Sequence, residues 1–358
     1  MSAPNPIAAE LTPALEATGG LLDRLVTLDL KGRGAVDLLY GEARRRAGQS
    51  LTMRAAIAMA SRITEGSVAV LCTGFPVRPW ISPGIGETDG PPAVAALARA
   101  ISTGMRGVPI VTTPAAMRDQ VAGALRSNGI LVLSPDEARR AALGSRPTCA
   151  AAVIDFPTEP GEAAAAADRL LAEHQSVLIA AAEHPGANRH GVYHSSVGVD
   201  ISEGVAKVEA LFARAAARGV LTLSFIDMPN EIGAAQIVDV AARASPFAHV
   251  CACPCKGGTL GASDVDMLVV GTTVNWAAYA TVAALAVILK DPAILVTCEH
   301  DFRAMEAVQL AGGLEGVSGS TWPQSGVDGI PAAISAHVVA LIRQVAEDAI
   351  LTKVKAPF

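Results

Sequence analysis

Short apolar runs alternate with stretches of helical periodicity from residue 67 to the end of this 358-residue chain. Ser67–Thr73, Ser176–Ala182 and Val220–Ile226 are continuous runs rich in alanine and β-branched residues, a pattern typical of strands covered on both faces. Ile294–Thr297 is a shorter run of the same kind, which we interpret as a further strand. The alternation predicts an α/β fold, doubly wound, with a mostly parallel sheet and helices on both faces.

The first part of the chain differs from this pattern. Residues 1–40 are interpreted as an N-terminal arm followed by lead-in helices, whereas residues 41–358 contain the alternation of strands and helices. No linker or internal repeat divides the second segment in the sequence, so we predict a single α/β domain there.

The composition excludes several classes of protein. The chain has 28 basic and 34 acidic residues, a formal net charge of −6 and no basic block, so nucleic acid is not expected as a partner. The most apolar window, Trp276–Leu289, is too short to span a bilayer. We therefore interpret this window as a buried helix and expect no membrane partner.

Expectations about compartment and cofactor follow from three further observations. The first twenty residues contain no Lys or Arg, so a signal peptide is not expected. Six cysteines in a chain of this length do not form a disulfide framework, which favours a cytoplasmic location. The first strand run is not followed by a G-x-G-x-x-G turn, and no nucleotide cofactor is therefore expected.

Leu221–Gly233 is the stretch with the clearest chemical content. Its strand residues are followed by Asp227, Asn230 and Glu231, which we place at the end of the strand and in the first turn of a helix. Ligands bind at this edge of open α/β sheets. Two carboxylates and an amide indicate a binding or catalytic role, while capping of the helix is the structural alternative.

A second acidic segment, Gly86–Pro92, lies between the first strand and the next predicted helix. Glu87, Thr88 and Asp89 come shortly before the two prolines at which this helix begins. Two carboxylates and two glycines so close to a strand end exceed what a helix cap requires. A functional role and a capping role both remain open for this segment.

The loop Glu183–His194 follows a predicted strand and is rich in polar side chains. It contains Asn188, Arg189, Tyr193 and the three histidines His184, His190 and His194. Loops of this composition at strand ends usually carry function. We interpret the histidines as substrate contacts or surface residues, with a zinc site as the alternative.

Cys251, Cys253 and Cys255 form a compact cysteine cluster. Their spacings of one residue differ from the C-x-x-C pattern of structural zinc sites, and no second pair lies nearby in the sequence. Inert buried thiols, a reactive or substrate-contacting thiol and a thiolate metal site therefore all remain open.

Several segments together resemble the C-terminal domain family of D-glutamate cyclase. The segments that match in order and spacing are Gly86–Pro92 with the following AVAALARAI, Glu183–Ser202, Asp227–Gly233, Val274–Tyr279 and Val327–Gly329. The resemblance extends from about Leu39 to Ile342. The chain departs from the family where Met228-Pro229 and Ala277-Ala278 replace glycine pairs, and the cysteine cluster looks inserted. We therefore expect a reshaped pocket.

The resemblance implies an enzyme of cyclic amide (lactam) chemistry, which opens or closes a small carboxylate-bearing lactam or imide ring. The implied catalytic residues are Glu87, Asp89, Asp227 and Glu231. The implied substrate-binding residues are Thr88, Asn188, Arg189, Tyr193, Asn230, Asn275, Trp276 and Asp328. A non-catalytic small-molecule binding protein that keeps the same pocket is the alternative.

Clustered carboxylates also suggest a cation. Such groups repel one another unless they are protonated or neutralised by a positive charge. Asp89, Asp227 and Glu231 are therefore predicted ligands of Mg²⁺ or Mn²⁺, which bind through oxygen. A small-molecule substrate and assembly as a homo-oligomer complete the expectations about partners.

Overall fold

A single sheet organises the molecule. The computed structural model describes residues 10–323 and 325–351. Within them the strands are β1 (Val68–Cys72), β2 (Val108–Thr113), β3 (Leu131–Leu133), β4 (Ala150–Asp155), β5 (Leu178–Ala182), β6 (Leu221–Ile226) and β7 (Met267–Val270). They lie in the order β3-β4-β2-β1-β5-β6-β7, and every neighbouring pair is parallel.

Helices cover both faces of this sheet, which confirms the predicted fold class. In the described part of the chain they are α1 (Pro13–Val26), α2 (Ala35–Ala47), α3 (Leu51–Arg62), α4 (Pro91–Gly104), α5 (Arg118–Ser127), α6 (Pro135–Leu143), α7 (Pro160–His174), α8 (Glu209–Ala217), α9 (Val238–Ala244), α10 (Val274–Leu289), α11 (Cys298–Leu310) and α12 (Ala332–Leu351). Helices α4, α5 and α10 pack on one face, and α6 and α8 pack on the other. The connections through α4 and α5 run in one direction along the sheet, whereas those through α6 and α8 run in the opposite direction. Right-handed crossovers, the general rule for parallel strands, then place these two pairs of helices on opposite faces.

Helix α10 is at the centre of the packing. All of its residues from Val274 to Ala286 are buried, which confirms that the apolar window is a buried helix. The helix contacts α3, α4 and α12 and lies against β5, β6 and β7. Among the helices that the structure describes, none combines the length and the apolar character that crossing a membrane requires.

The N-terminal helices pack onto the same core. Helix α1 contacts α3, α10 and α12, and Leu22, Val26 and Leu39 are fully buried. Helix α2 runs through residue 40, where the sequence placed the end of the lead-in helices. Residues 1–9 of the predicted arm lie outside the described residues.

The predicted strand at Ile294–Thr297 is wrong. Pro292–Ile294 forms one turn of 3₁₀ helix instead, and the Asp291 carboxylate caps this turn by accepting from the Ala293 N–H at 2.9 Å. The proline fixes a backbone angle that suits a helical turn. Four apolar residues are too few for periodicity to separate a strand from such a turn.

The connection after β6 also differs from the prediction. Asn230 and Glu231 lie in a loop, and helical geometry begins with the 3₁₀ turn Ala234–Ile237 that precedes α9. Pro229 disfavours a helical conformation at the residue before it. Glu231 instead pairs with Pro185 of the neighbouring loop in an antiparallel bridge. The acidic segment is therefore a loop at the end of the strand, and not the first turn of a helix.

The strand order creates a crevice at one edge of the sheet. Strands β1 and β5 are neighbours, but the chain continues from β1 toward β2 on one side and from β5 toward β6 on the other. Ligands bind at the carboxyl ends of such a pair in open α/β sheets. Thr73 directly follows β1 and Glu183 directly follows β5, so both lie at this crevice.

Candidate active site

Polar side chains from five segments reach the crevice between β1 and β5. Glu87–Asp89 precede α4, Glu183 follows β5, and Asp227–Glu231 follow β6. Asn275 lies in the first turn of α10, and Asp328 lies in the loop before α12. The carboxyl ends of the strands and the beginnings of two helices thus bring residues from distant parts of the chain together.

Asp89 and Asn275 connect the beginnings of α4 and α10. The Asp89 carboxylate accepts from the backbone N–H of Val274 at 2.8 Å and of Asn275 at 2.7 Å. The Asn275 side-chain oxygen accepts from the N–H of Gly90 at 3.1 Å and of Ala93 at 3.0 Å. Both side chains are buried. These bonds satisfy helix-start donors and fix the orientation of the Asp89 carboxylate.

Asp89, Glu183 and Asp227 form a group that we call the acidic triad. One carboxylate oxygen of each residue lies within 4.8 Å of the corresponding atoms of the other two. The sequence predicted that Asp89 and Asp227 converge, and the structure places them together. It places Glu183 beside them, where the sequence had put Glu231 as the third metal ligand.

Burial and mutual repulsion raise the pKa of each carboxyl group in the triad well above its ordinary value. For Asp89 and Asp227, burial is the largest cause and the charge of Asp328 is the second. For Glu183, burial is followed by the charge of Glu231. Within the described residues, no Lys or Arg forms an ion pair with any of these groups. The triad is therefore a group of three carboxyl groups without a basic partner in the described part of the chain.

Two of the acids are held in an unfavourable backbone conformation. Glu183 has φ of 48° and Asp328 has φ of 50°, which is the left-handed region that costs about 1–2 kcal/mol for a residue with a Cβ. Glu183 Oε2 and Asp328 Oδ2 are buried and have no hydrogen-bond partner in the described part of the chain. Strain of this kind concentrates at functional sites.

Glu315 holds the loop that carries Asp328. Its carboxylate accepts from the N–H of Gly329 at 2.7 Å and from the N–H of Ser318 at 2.6 Å. Lys31 adds a hydrogen bond from its ammonium group to the carbonyl of Asp328. Glu315 is fully buried, and its hydrogen bonds outweigh the effect of burial, so that its pKa is lowered. Glu315 therefore fixes the position of the loop that carries Asp328.

Glu231 shapes the loop after β6. Its Oε1 atom accepts from the N–H of Asp227 at 3.1 Å and of Met228 at 2.8 Å, whereas its Oε2 atom is buried without a partner among the described residues. Burial raises the pKa of Glu231 to about 8. Asn230 donates to the carbonyl of His194 at 2.9 Å, and its side-chain oxygen likewise has no partner in the described structure.

Glu87 and Thr88 complete the acidic side of the crevice. Burial, followed by the charges of Asp328 and Asp89, raises the pKa of Glu87 well above its ordinary value. Thr88 is fully buried and donates from its hydroxyl to the carbonyl of Gly326 at 2.8 Å. Thr88 thereby connects this segment to the loop that carries Asp328.

Glu183 and Thr73 were not among the predicted site residues. Thr73 is fully buried, and its hydroxyl has no hydrogen-bond partner within the described residues. A Cβ atom on Gly90 would lie 2.5 Å from Thr73 Oγ1 and 2.7 Å from Glu183 Cβ. The signal that could have found both residues is their position directly after β1 and β5, the pair that flanks the crevice.

Two predicted substrate contacts have their polar atoms engaged by the protein. Trp276 is fully buried, and its indole N–H donates to Ser335 Oγ at 2.9 Å. Tyr193 is buried, and its hydroxyl donates to Glu209 at 2.6 Å. Trp276 therefore packs in the helical core, and Tyr193 packs against the loop after β5.

The rest of that loop lies beside the triad rather than in it. Asn188 accepts from the N–H of His190 at 2.9 Å and donates to the carbonyl of Gly258 at 2.7 Å, which orders the loop. Arg189 and His190 are exposed. His184 is buried, and burial lowers its pKa to about 4.

The three loop histidines do not converge, so the zinc site considered for them is wrong. In the described part of the chain, His194 is grouped with Cys251, Cys253 and Cys255 instead. All three of these cysteines have free thiols. Sequence reasoning missed the association because His194 lies in the loop after β5, whereas the cysteines lie in the loop between α9 and β7.

Comparison with known proteins assigns the chain to a family. A family model described as D-glutamate cyclase-like, C-terminal, matches residues 22–343. A search of curated proteins finds no match. The matched range contains every predicted site residue and both ligand groups, and it covers most of the chain. The chain therefore belongs to the D-glutamate cyclase-like C-terminal family.

Proposed function

We propose that this chain is an enzyme that opens or closes a small carboxylate-bearing lactam or imide ring at the acidic triad. Its membership of a D-glutamate cyclase-like family suggests a lyase-type enzyme. The observation that carries the proposal is the proximity of Asp89, Glu183 and Asp227 at the crevice between β1 and β5. Two buried carboxyl groups and a partly buried one that raise one another's pKa destabilise a fold, and such a cluster at a crevice favours a chemical role.

The proposed reaction sets three requirements. Ring closure joins an amine nitrogen to a side-chain carboxylate carbon and releases water, whereas ring opening consumes water and breaks the same bond. Either direction needs proton transfer at the nitrogen, stabilisation of a developing oxyanion and recognition of the free carboxylate. The crevice offers a group for each of the first two requirements.

The donor set of the triad fits a divalent cation such as Mg²⁺ or Mn²⁺. All of its ligand atoms are carboxylate oxygens, which these ions prefer, and Glu183 Oε2 is buried without a partner among the described residues. Asp89, Glu183 and Asp227 would hold the ion. A bound cation would offset the repulsion among the carboxylates and polarise the carbonyl group of the ring.

The neighbouring loop supplies groups for proton transfer and orientation. Glu231 has one oxygen fixed by two backbone N–H groups and a second oxygen that is buried and unpartnered in the described structure. We assign Glu231 to proton transfer at the ring nitrogen, with Glu87 as the adjacent acid. The unpartnered Asn230 oxygen is an acceptor for the N–H of a ring amide.

The substrate that we propose differs from glutamate and 5-oxoproline. Met228 and Pro229 lie directly after Asp227, where they stiffen the turn and add bulk beside the triad. Ala277 and Ala278 are fully buried in the interior of α10. The side chain that reshapes the crevice is therefore that of Met228, which is partly exposed.

A panel of five- and six-membered lactams and cyclic imides, with and without Mg²⁺ or Mn²⁺, tests this function. We expect cation-dependent turnover of at least one carboxylate-bearing ring and inefficient turnover of D-glutamate and 5-oxo-D-proline. A specificity constant above about 10⁴ M⁻¹s⁻¹ for D-glutamate or 5-oxo-D-proline lies within the ordinary enzyme range. Such a value would contradict the proposal that the substrate differs from these two compounds. Tight binding of a ring without turnover would instead support a non-catalytic binding protein.

A further inference from the structure

A second group of metal-ligating side chains lies outside the acidic crevice. It consists of His194, Cys251, Cys253 and Cys255, whose ligand atoms all lie within 4.8 Å of one another. We propose that these four residues bind one Zn²⁺ ion in a closed tetrahedral site, which we call the thiolate site. Three sulfurs and one imidazole nitrogen form one of the standard ligand sets of structural zinc.

The distances among the four ligand atoms match those around tetrahedral zinc. Cys251 Sγ lies 3.5 Å from Cys253 Sγ and 3.3 Å from Cys255 Sγ. His194 Nε2 lies 3.2 Å from Cys253 Sγ and 3.6 Å from Cys255 Sγ. Tetrahedral angles with ordinary Zn–S and Zn–N bond lengths place two sulfurs about 3.8 Å apart and a sulfur and a nitrogen about 3.6 Å apart. Small changes in the distances among the four ligand atoms are therefore enough for them to bind the ion.

The surroundings of Cys255 are those of a metal-bound thiolate. The backbone N–H of Gly257 points to Cys255 Sγ with a distance of 3.4 Å from nitrogen to sulfur. The side-chain amide of Asn188 approaches the same sulfur at 3.5 Å. Such donors stabilise the negative charge that a sulfur carries when it binds a metal. Asn188, predicted as a substrate contact, thus supports the thiolate site.

The fourth ligand favours a metal over a disulfide. A disulfide needs two sulfurs and leaves the third cysteine and the imidazole without a role. Here the imidazole nitrogen lies within 3.6 Å of two different sulfurs, and His194, Cys251 and Cys253 are buried. Four convergent ligands with little solvent access are typical of a structural site without an open coordination position.

The thiolate site would cross-link two loops that border the crevice. His194 lies in the loop after β5, and the cysteines lie in the loop between α9 and β7. The carbonyl of His194 accepts from the Asn230 side chain at 2.9 Å, and Asn230 is adjacent to Glu231. A metal bound to His194 would therefore hold in place the carbonyl that positions Asn230 in the loop after β6. The metal would not contact the acidic triad.

Metal analysis of the purified full chain tests the proposal. The protein is produced in zinc-supplemented medium, dialysed against metal-free buffer and analysed for zinc and iron. It is then stripped and loaded with Co²⁺, whose thiolate charge-transfer absorption and visible bands report tetrahedral sulfur coordination. We expect one zinc per chain and a tetrahedral thiolate spectrum. Zinc well below one per chain together with no cobalt spectrum, or iron in place of zinc, would overturn the proposal.

Variants locate the ion. Cys253→Ser and His194→Gln each remove one proposed ligand, and Cys298→Ser removes a free thiol outside the group. We expect the first two to lose at least tenfold in zinc affinity, and we expect the third to retain one zinc per chain. Circular dichroism establishes that each variant is folded. Folded Cys253→Ser and His194→Gln variants with undiminished zinc would contradict the assignment of these ligands.

Unfolding experiments then address the structural role. Binding of zinc to the folded chain alone raises the melting temperature. A zinc-selective chelator, added with Mg²⁺ in excess so that the acidic triad keeps its cation, should therefore lower the Tm of wild type and leave the Tm of Cys253→Ser unchanged. Because this readout does not depend on turnover, it separates failure of the thiolate site from failure of the proposed function. A chelator that leaves the wild-type Tm unchanged would overturn the structural role.

Discussion

Asp89 and Asn275 cap each other's helices. The Asp89 carboxylate accepts from the first N–H groups of α10, and the Asn275 side-chain oxygen accepts from Gly90 and Ala93 at the beginning of α4. The Asn275 amide also donates to the carbonyl of Thr88 at 3.0 Å. This exchange fixes the segment that carries Glu87 and Asp89 relative to α10, the central helix of the core.

We expect Asn275→Ala to reduce both stability and activity. The substitution removes the partner of the Ala93 N–H and of the Thr88 carbonyl, whereas the Gly90 N–H keeps its bond to Asp89 Oδ1 at 3.0 Å. Each unmade bond of this kind costs roughly 1–3 kcal/mol. Chemical denaturation measures the free energy of unfolding. Asn128→Ala is a control at another buried asparagine, one that lies at the end of α5.

The kinetic pattern distinguishes positioning from general damage. Asn275→Ala should lower kcat/KM far more than Asn128→Ala at a similar loss of stability, because only the Asn275 side chain bonds the Thr88–Gly90 segment that carries Asp89. Equal effects of the two substitutions on kcat/KM would show that the mutual capping has no part in the site.

Gly90→Ala should damage the crevice through steric overlap. Gly90 has φ of 90°, and an added Cβ would lie 2.5 Å from Thr73 Oγ1. Gly129 has φ of 76° and no atom within 4 Å of an added Cβ, so Gly129→Ala isolates the backbone cost. We expect Gly90→Ala to destabilise the fold by about 1–3 kcal/mol more than Gly129→Ala. Equal melting temperatures of Gly90→Ala and Gly129→Ala would show that the residues around Gly90 move aside without an energetic cost.

Neutralising the acidic triad should weaken cation binding. Glu183→Gln and Asp227→Asn each remove one charged oxygen ligand, and we expect at least a tenfold loss of Mn²⁺ affinity by isothermal titration calorimetry. Glu203→Gln removes an exposed carboxylate from the loop after β5 and is the matched control. An unchanged Mn²⁺ affinity in all three variants would remove the triad as the cation site.

Asp301 should make stability depend on pH. Burial raises its pKa to about 6 from 3.8, partly offset by hydrogen bonds from Ser335 and Tyr279. Because the pKa of Asp301 is raised in the folded state, protonated Asp301 contributes to the free energy of unfolding below about pH 4. This contribution is lost as the pH rises through about 6. Relative to Asp301→Asn, wild type should lose up to about 3 kcal/mol across this range. A difference in unfolding free energy that does not change with pH would contradict this expectation.

The sequence was sufficient for the fold because its signals are local. Continuous apolar runs followed by helical periods define parallel strands and their crossovers. The runs Ser67–Thr73, Ser176–Ala182 and Val220–Ile226 contain β1, β5 and β6 of the structure. The prediction of a strand at Ile294–Thr297 was wrong because such a short run has no periodicity of its own. The prediction of a helix start after β6 was wrong because the pairing of Glu231 with Pro185 is a tertiary contact.

The site was predictable only in part. Asp89 and Asp227 could be placed together because both follow strands at the same edge of the sheet. Glu183 could be assigned only once β5 was known to be the neighbour of β1. His194 and Cys251 join in one group because two long loops meet, and periodicity carries no information about such a meeting.

The central claim is that the acidic triad performs cyclic amide chemistry, and single-site kinetics test it most directly. The ring from the lactam and imide panel with the highest turnover is assayed at saturating Mn²⁺ with wild type, Asp227→Asn and Glu203→Gln. We expect Asp227→Asn to lose at least 10²-fold in kcat/KM, the order that removal of one catalytic group produces, while Glu203→Gln keeps wild-type activity. Turnover that persists within about twofold in folded Asp227→Asn protein would contradict the account.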